Sequence, residues 1–246
     1  MKILAVIPAR YAAQRLPGKP LAMIGDRPMV QWVYETAKSC SIFGEVIVAT
    51  ESEQVAECVR EFGGRVEMTR SDHLSGTDRV AEVAARYEDM DIIANVQGDL
   101  PFVTAKVLAQ LVSPYLDGEL PDMTTLACPL NLEVGYSDPN TVKVLLDRHQ
   151  YAIYFSRSPI PHFRNPGTAP VYHHLGLYAF RRDFLVEDYA KLTATPLELC
   201  EGLEQLRVLE NGYSIRVCQT EAAVVEVNTP DDLDRARSQL IETITS

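Results

Sequence analysis

Three cations crowd one short loop. In Pro8-Ala9-Arg10-Tyr11-Ala12-Ala13-Gln14-Arg15-Leu16-Pro17-Gly18-Lys19-Pro20, the residues Arg10, Arg15 and Lys19 fall within ten positions. The loop directly follows an apolar run, Ile3–Ile7, that reads as a buried strand. Gly18 permits a tight turn that leaves backbone N–H groups facing a ligand. Such a loop is suited to holding phosphates. A second apolar run, Ile92–Val96, ends in Gln97-Gly98-Asp99-Leu100-Pro101. A carboxylate at a strand end, beside a glycine, is a hard-oxygen ligand of the kind Mg²⁺ takes. Together the two loops point to nucleoside triphosphate chemistry. There a cation neutralises phosphate charge while Arg and Lys stabilise charge gained in the transition state. The plainer readings are a solvated basic loop and an Asp99 that closes a turn or caps the next helix.

Other chemistries are poorly served. The loop is not a Walker A motif, because Ala13 stands at the first glycine position and Pro20 follows the lysine. No G-x-G-x-x-G occurs, which disfavours a nicotinamide or flavin enzyme. Cys40, Cys58, Cys128, Cys200 and Cys218 are scattered with no C-x-x-C pair. They therefore read as small buried thiols in a reducing compartment, neither a zinc site nor a disulfide framework.

These loops need a scaffold to hold them. Pro28 opens a helix over Met29–Cys40, and Val46–Ala49 is a second strand. Val55, Val59 and Phe62 have helical spacing, stopped by Gly63-Gly64. Val66–Met68 is a third strand, and Ser75 with Asp78 resembles a capping arrangement for a helix over Thr77–Tyr87. Ile92–Val96 is a strand and Val103–Leu116 a helix. This alternation predicts βαβ units with a largely parallel sheet. The second half changes character: Met123–Pro129, Thr141–Asp147, Tyr151–Phe155 and Leu175–Phe180 read as strands with few helices between them. Pro196–Leu209 reads as a helix and Ile215–Val217 as a short strand. Thr229 then caps a last helix with Pro230 at its first position.

The chain has 246 residues, 46% of them hydrophobic and 23% charged, which is ordinary for a globular protein with a substantial core. Lys and Arg number 23 against 34 Asp and Glu, a net charge of −11. This balance disfavours nucleic acid and anionic membrane as partners. No apolar run approaches the roughly 20 residues that span a bilayer. The first seven residues are too short for a signal peptide, so the expected location is cytoplasmic.

The motifs resemble, in order and over nearly the whole chain, those of the 3-deoxy-manno-octulosonate (Kdo) cytidylyltransferase family. The opening signature is Ile7-Pro8-Ala9-Arg10-Tyr11 with Arg15-Leu16-Pro17-Gly18-Lys19-Pro20-Leu21. Val48-Ala49-Thr50, Met68-Thr69-Arg70, Asp72-His73, Ser75-Gly76-Thr77-Asp78-Arg79 and Val96-Gln97-Gly98-Asp99 follow. Later matches are Tyr154-Phe155-Ser156-Arg157, His174-Leu175-Gly176-Leu177-Tyr178, Leu203-Glu204-Gln205-Leu206-Arg207 and Thr229-Pro230-Asp231-Asp232-Leu233. The resemblance implies a three-layer αβα nucleotidyltransferase domain over 1–246 with a mixed, mostly parallel sheet. A strand-rich portion, roughly 123–180, would serve dimerisation and sugar binding. The implied enzyme joins CTP to an acidic sugar with Mg²⁺, releases pyrophosphate, works as a homodimer and feeds lipopolysaccharide synthesis.

Carried over by motif, Ala9, Arg10, Arg15, Lys19, Ser75 and Gly76 are the CTP-binding set, with Lys19, Arg15 and Asp99 catalytic. Asp99 is the metal ligand. Gln97, Arg157, His174, Glu204 and Gln205 line the sugar pocket, where Arg157 could grip a carboxylate bidentately. Two positions depart from the family pattern. Leu100 stands where the family has Glu in Gln-Gly-Asp-Glu-Pro, which takes a negative charge from the neighbourhood of the metal ligand. Asn228 stands where it has Asp before Thr-Pro, normally the second carboxylate on the metal. An amide oxygen at Asn228 is an uncharged, weaker ligand. Glu226 lies two residues away and would need a local shift to compensate. The segment Phe163–Pro170 is shorter than in many members. These departures leave three expectations open: activity on Kdo with altered metal demand, activation of another 2-ulosonic acid such as the 8-amino analogue of Kdo, or a non-catalytic nucleotide-binding homologue.

Overall fold

A computed structural model describes residues 1–12, 15–165, 167–221 and 225–245, with side chains to residue 241. Ala13 and Gln14 of the basic loop and Pro166 of the Phe163–Pro170 segment lie outside the described residues. The chain divides into two compact units, Met1–Ala109 with Val224–Ser246, and Gln110–Ala223.

In the first unit, β1 (Ile3–Pro8) is almost wholly buried, as an apolar run without alternation requires. The chain then makes a short hairpin, β2 (Met23–Ile24) and β3 (Arg27–Pro28), turning at Gly25 with φ +63°. The sequence reading had no strand here, because two-residue strands carry no period to read. Pro28 is the cap of α1 (Met29–Ser39), one position ahead of the expected first helical residue. Next come β4 (Glu45–Thr50), α2 (Glu53–Glu61) and β5 (Val66–Met68). They lead to α3 (Gly76–Ala85) and β6 (Ile92–Asn95), and then to α4 (Ala105–Leu116), which begins in this unit and ends in the second. β1 pairs in parallel with β4 on one side and β6 on the other, and β5 extends the β4 side in parallel. Helices α1, α2 and α3 pack on these strands.

This order has a consequence for ligands. From β1 the chain moves outward to β4 and β5, then returns to β6 on the opposite flank. The order in which strands are added thus reverses at β1, with all four strands parallel. In open parallel sheets the crevice beyond the carboxyl ends of such a pair is where ligands bind. The basic loop and Asp99 leave from those two ends.

In the second unit, β7 (Met123–Pro129) is followed by a helical turn, α5 (Leu132–Gly135), then β8 (Lys143–Leu146) and β9 (Ala152–Ser156). The long β10 (Tyr172–Arg181) comes next. β7 pairs antiparallel with β10, which pairs antiparallel with β8, and β8 with β9. The helix expected over Pro196–Leu209 is two: α6 (Pro196–Glu201) and α7 (Leu206–Glu210). Gly202, left-handed at φ +63°, ends the first. β11 (Ile215–Gln219) then joins β7 in parallel, making this sheet mixed.

The last helix, α8 (Pro230–Thr245), returns to the first unit. Its start is the predicted one: the Asp232 amide donates to Thr229 Oγ1 at 3.2 Å and the Thr229 amide to Asp232 at 2.8 Å. Val227, Leu233 and Ala236 pack with Ile24 and Met29 in one buried cluster, flanked by Trp32, Phe102 and Leu240. Each such buried side chain is worth about 1.5–3 kcal/mol, so the cluster fixes the segment Glu226–Thr229 firmly against the hairpin. All five cysteines are free, as expected, but Cys200 is exposed, not buried.

Candidate nucleotide site

A cleft of about 590 Å³, counting its open mouth, lies in the first unit. Pro8, Ala9 and Arg10 at the end of β1 form one wall, and Gln97, Gly98 and Asp99 after β6 another. Lys19, Gly76 and Arg79 complete it. Gly98 is required there: a Cβ would meet the Pro8 carbonyl oxygen at 2.8 Å. That close approach brings the two strand ends together. Of the expected nucleotide residues, the cleft thus gathers Ala9, Arg10, Lys19 and Gly76, together with Asp99 and Gln97.

Lys19 is set by Gly18, whose φ of +69° starts a 3₁₀ turn over Lys19–Leu21. Its Nζ donates to Asp99 Oδ2 at 2.7 Å and to Asn228 Oδ1 at 3.0 Å. The Asn228 amide nitrogen in turn donates to Glu226 Oε2 at 2.8 Å. The Val227 amide bonds the Asp99 carbonyl at 2.9 Å, which holds the two segments in register. Asn228 is therefore a neutral bridge between a lysine and a second carboxylate. The segment between Glu226 and Asn228 is not a strand, so strand spacing does not keep the two side chains apart. Desolvation by the protein atoms around it, and then the Asp99 charge, raise the pKa of Glu226, an exposed residue, above the ordinary carboxylate value.

Asp99 and Asn228 come from distant segments, and their oxygens converge on one ammonium. Hard oxygen donors so arranged fit Mg²⁺, which accepts one or two protein ligands and completes its shell with water and phosphate. Among the described residues no group of three or more His, Cys, Asp or Glu could form a cage for a metal. Leu100 corrects one expectation. It is 0% exposed and is not part of the cleft lining, so position 100 faces the interior and not the metal-facing surface.

Arg10 extends from the end of β1, and its guanidinium donates to the His73 carbonyl at 2.6 Å. Arg15 is exposed and is not among the residues lining the cleft, although its charge is felt at Glu226. Ser75 caps α3, accepting from the Asp78 amide at 3.1 Å while its own amide donates to Asp78 Oδ2 at 3.0 Å. Its hydroxyl serves the helix, and Gly76 is the part of this segment that reaches the cleft.

Sequence reasoning gave Arg79 no role. It is 1% exposed yet lines the cleft, paired with Glu51 at 2.8 Å and bonded to Thr69. Burial, partly offset by Glu51, lowers its pKa, and the nearby Arg10 charge lowers it further. The signal was available: Arg79 lies three residues after Gly76, on the same face of α3.

The expected sugar residues other than Gln97 lie in the second unit. His174 is buried and fully hydrogen-bonded. Tyr178 O–H donates to Gln205 Oε1 at 3.1 Å, and Gln205 Nε2 lies 3.4 Å from His174 Nδ1. His174 Nε2 lies 2.8 Å from Thr125 Oγ1, which donates to the Leu177 carbonyl at 2.7 Å. Reading each donor in turn assigns His174 as neutral with its proton on Nε2. Burial drives its pKa down to about 3, in agreement. Of the His173-His174 pair it is His174 that is buried. Gln205 is buried, and Glu204, half-buried, accepts from Tyr189 O–H at 3.3 Å.

Arg157 is engaged differently from expectation. Its Nε donates to the Glu201 carbonyl at 2.8 Å, and Nη1 to the Pro139 carbonyl at 3.0 Å. Its own carbonyl accepts from Lys143 Nζ at 2.5 Å. Lys143, 0% exposed, also donates to Asp138 and Thr141 carbonyls at 3.0 and 2.7 Å. The fork that was expected to hold a carboxylate braces backbone in this structure.

Comparison with known proteins identifies the family. A family model described as cytidylyltransferase matches residues 4–216. A protein of Acaryochloris marina named 3-deoxy-manno-octulosonate cytidylyltransferase is 64% identical over 246 residues, covering all of both chains. One of the same name from Synechococcus elongatus is 56% identical over 97% of this chain and 98% of its own. A solved structure of CMP:2-keto-3-deoxy-manno-octonic acid synthetase complexed with CTP superposes with a TM-score of 0.93. It is 42% identical and covers 99% of this chain and 100% of its own. A 4-diphosphocytidyl-2C-methyl-D-erythritol synthase from Anaerococcus prevotii, 14% identical with a TM-score of 0.64, shares the fold. It covers 98% of each chain. The fold is accordingly the αβα nucleotidyltransferase class expected from the sequence, and the chain belongs to the cytidylyltransferase family.

Proposed function

We propose that this protein couples CTP and 3-deoxy-manno-octulosonate to CMP-sugar and pyrophosphate. The observation that carries the reading is the cleft itself. Arg10, Lys19 and Arg79 surround it, Asp99 stands at its edge, and full-length relatives bear that enzyme's name.

The sugar's anomeric 2-hydroxyl attacks the α-phosphorus of CTP. A P–O bond forms, the bond to the β-phosphate bridging oxygen breaks, pyrophosphate leaves and the hydroxyl proton goes to solvent. Lys19 and Arg10 bind the triphosphate, with Arg15 reaching it from the exposed side. Their donors, fixed in advance by Gly18 and by the His73 carbonyl, meet charge as it develops on the leaving oxygens. Ala9 and Gly76 frame the nucleoside. Asp99 and Asn228 would hold Mg²⁺, which supplies neutralisation of phosphate charge. For the sugar, Gln97 and Glu204 offer groups suited to hydroxyls, His174 and Gln205 act through the buried hydrogen bonds they already make, and Arg157 would have to give up backbone carbonyls to take a carboxylate.

The same reading makes the protein a cytoplasmic homodimer serving lipopolysaccharide synthesis, with residues 123–180 contributing the contact. No helix among the described residues is long and apolar enough to cross a membrane. An acceptor panel tests the assignment. With CTP and Mg²⁺, pyrophosphate release should be fastest with Kdo. Faster release with the 8-amino analogue would reassign the acceptor, and release with neither would leave a nucleotide-binding protein.

A further inference from the structure

We propose that Glu82 and His73 form a clamp that positions Arg10 for the triphosphate, an inference that rests on the nucleotide-site reading above. Neither residue lines the cleft. The clamp is needed because the cleft brings two guanidinium groups together. Arg79 is buried in its wall and Arg10 stands close enough for its charge to be felt there. Two cations in such proximity repel, and Arg10, long and exposed, has solvent to swing into.

What opposes this is one hydrogen bond, Arg10 Nη2 to the His73 carbonyl at 2.6 Å. That carbonyl belongs to the loop between β5 and α3 and is only as fixed as the loop. The His73 ring is 5% exposed, and its Nε2 lies 2.5 Å from Glu82 Oε2. Glu82 is on α3, the helix that packs on β1, so it is rigid relative to the strand that carries Arg10. The same carboxylate accepts the Arg70 amide at 3.1 Å and an Arg86 nitrogen at 2.5 Å. Two of these donors, from Arg70 and His73, thus tie the loop to one turn of α3, while Arg86 holds the carboxylate from the helix's own end. The chain of contacts runs from Glu82 through the His73 ring to its carbonyl, then to the Arg10 guanidinium in the cleft. Glu82 and His73 act through Arg10 and are positioning residues.

A double-mutant cycle reads this directly, because a residue that acts only through Arg10 loses its influence when Arg10 is gone. CTP affinity is measured by calorimetry in the wild type, Arg10→Ala, Glu82→Ala and the double variant, with Mg²⁺ present. Losing a charge-assisted bond should weaken CTP by roughly 10- to 100-fold in Arg10→Ala. Glu82→Ala should weaken it by roughly 3- to 10-fold, and in the Arg10→Ala background by less than about twofold. Glu82→Gln, which keeps the shape and one acceptor, should recover most of the loss. If Glu82→Ala does not fold, His73→Phe takes its place in the cycle, filling the same space without the ring nitrogen that meets Glu82.

An equal loss from Glu82→Ala in both backgrounds would overturn the clamp, placing the effect on Arg79 or on the fold. An unchanged affinity in Glu82→Ala would overturn it as well. An unchanged affinity in Arg10→Ala would overturn it by removing Arg10 from the triphosphate. Failure of the wild type to bind CTP would instead refute the nucleotide-site reading itself.

Discussion

Replacing His174 by Gln should flatten the pH dependence of stability between pH 7.5 and 4.5. In the folded protein burial holds the imidazole pKa at about 3, against an ordinary value of 6.5. The folded state therefore refuses a proton that the unfolded chain accepts. With the folded pKa below the unfolded one, the stabilisation is complete above pH 6.5. It is lost as pH falls from there towards 3, at up to about 1.4 kcal/mol per pH unit. At pH 4.5 the ratio of unfolded to folded protonation factors is about 100, a loss of roughly 3 kcal/mol. The hydrogen-bond chain supports this, since a proton on Nδ1 would face the Gln205 amide nitrogen, itself a donor. Depressed carboxylates such as Glu201 and Asp232 lose their contribution only below their ordinary values, at more acid pH. Urea unfolding at half-unit pH steps, for wild type and His174→Gln, gives the difference. The wild type should lose about 2–3 kcal/mol more than the variant over this range. Parallel curves would show that His174 titrates normally and that its tautomer assignment is wrong.

Other expectations follow from the same contacts. Lys19→Ala, which removes a preorganised donor, should lower turnover by roughly 10²–10³-fold in a pyrophosphate-release assay. Near-wild-type turnover would remove Lys19 from the mechanism. Asn228→Asp would place a carboxylate where an amide now donates to Glu226 at 2.8 Å. It should lower the melting temperature without metal and enlarge the rise produced by Mg²⁺, because binding to the folded state stabilises by mass action. An unchanged Mg²⁺ response would exclude position 228 as a ligand. Lys143→Met strips three carbonyls of a buried charged donor and should cost about 3–5 kcal/mol in denaturant unfolding. Thr229→Ala should cost about 1 kcal/mol through loss of the α8 cap.

The parallel part of the fold was legible because its signals are local. A continuous apolar strand such as Ile3–Ile7 has one plausible environment, and the Ser75–Asp78 and Thr229 caps have fixed spacing and fixed hydrogen-bond logic. Asp99 and Lys19 were legible as a pair because both follow strand ends, where topology brings loops together. What escaped depends on long-range burial. Nothing in the sequence around Lys143 distinguishes an interior ammonium from a surface one. Its burial is decided by carbonyls of Asp138, Thr141 and Arg157, which only the folded loops bring together. Arg157 was read by its capacity to grip a carboxylate, and the carbonyls of Glu201 and Pro139 compete for the same donors. Leu100 looked like a lost charge beside the metal ligand, but adjacent residues after a strand need not share a face, and position 100 turns inward. Glu226 looked too remote from position 228 on an ideal strand, whereas this segment is irregular and lets the two side chains meet.

The central claim is that the cleft joins CTP to a sugar acid by attack at the α-phosphorus. The most direct test is product analysis by mass spectrometry after incubation with CTP, Mg²⁺ and Kdo. CMP-Kdo and pyrophosphate should form in equal amounts, and both should be abolished in Asp99→Ala. Free CMP without the CMP-sugar, or bound CTP that yields no pyrophosphate, would contradict it.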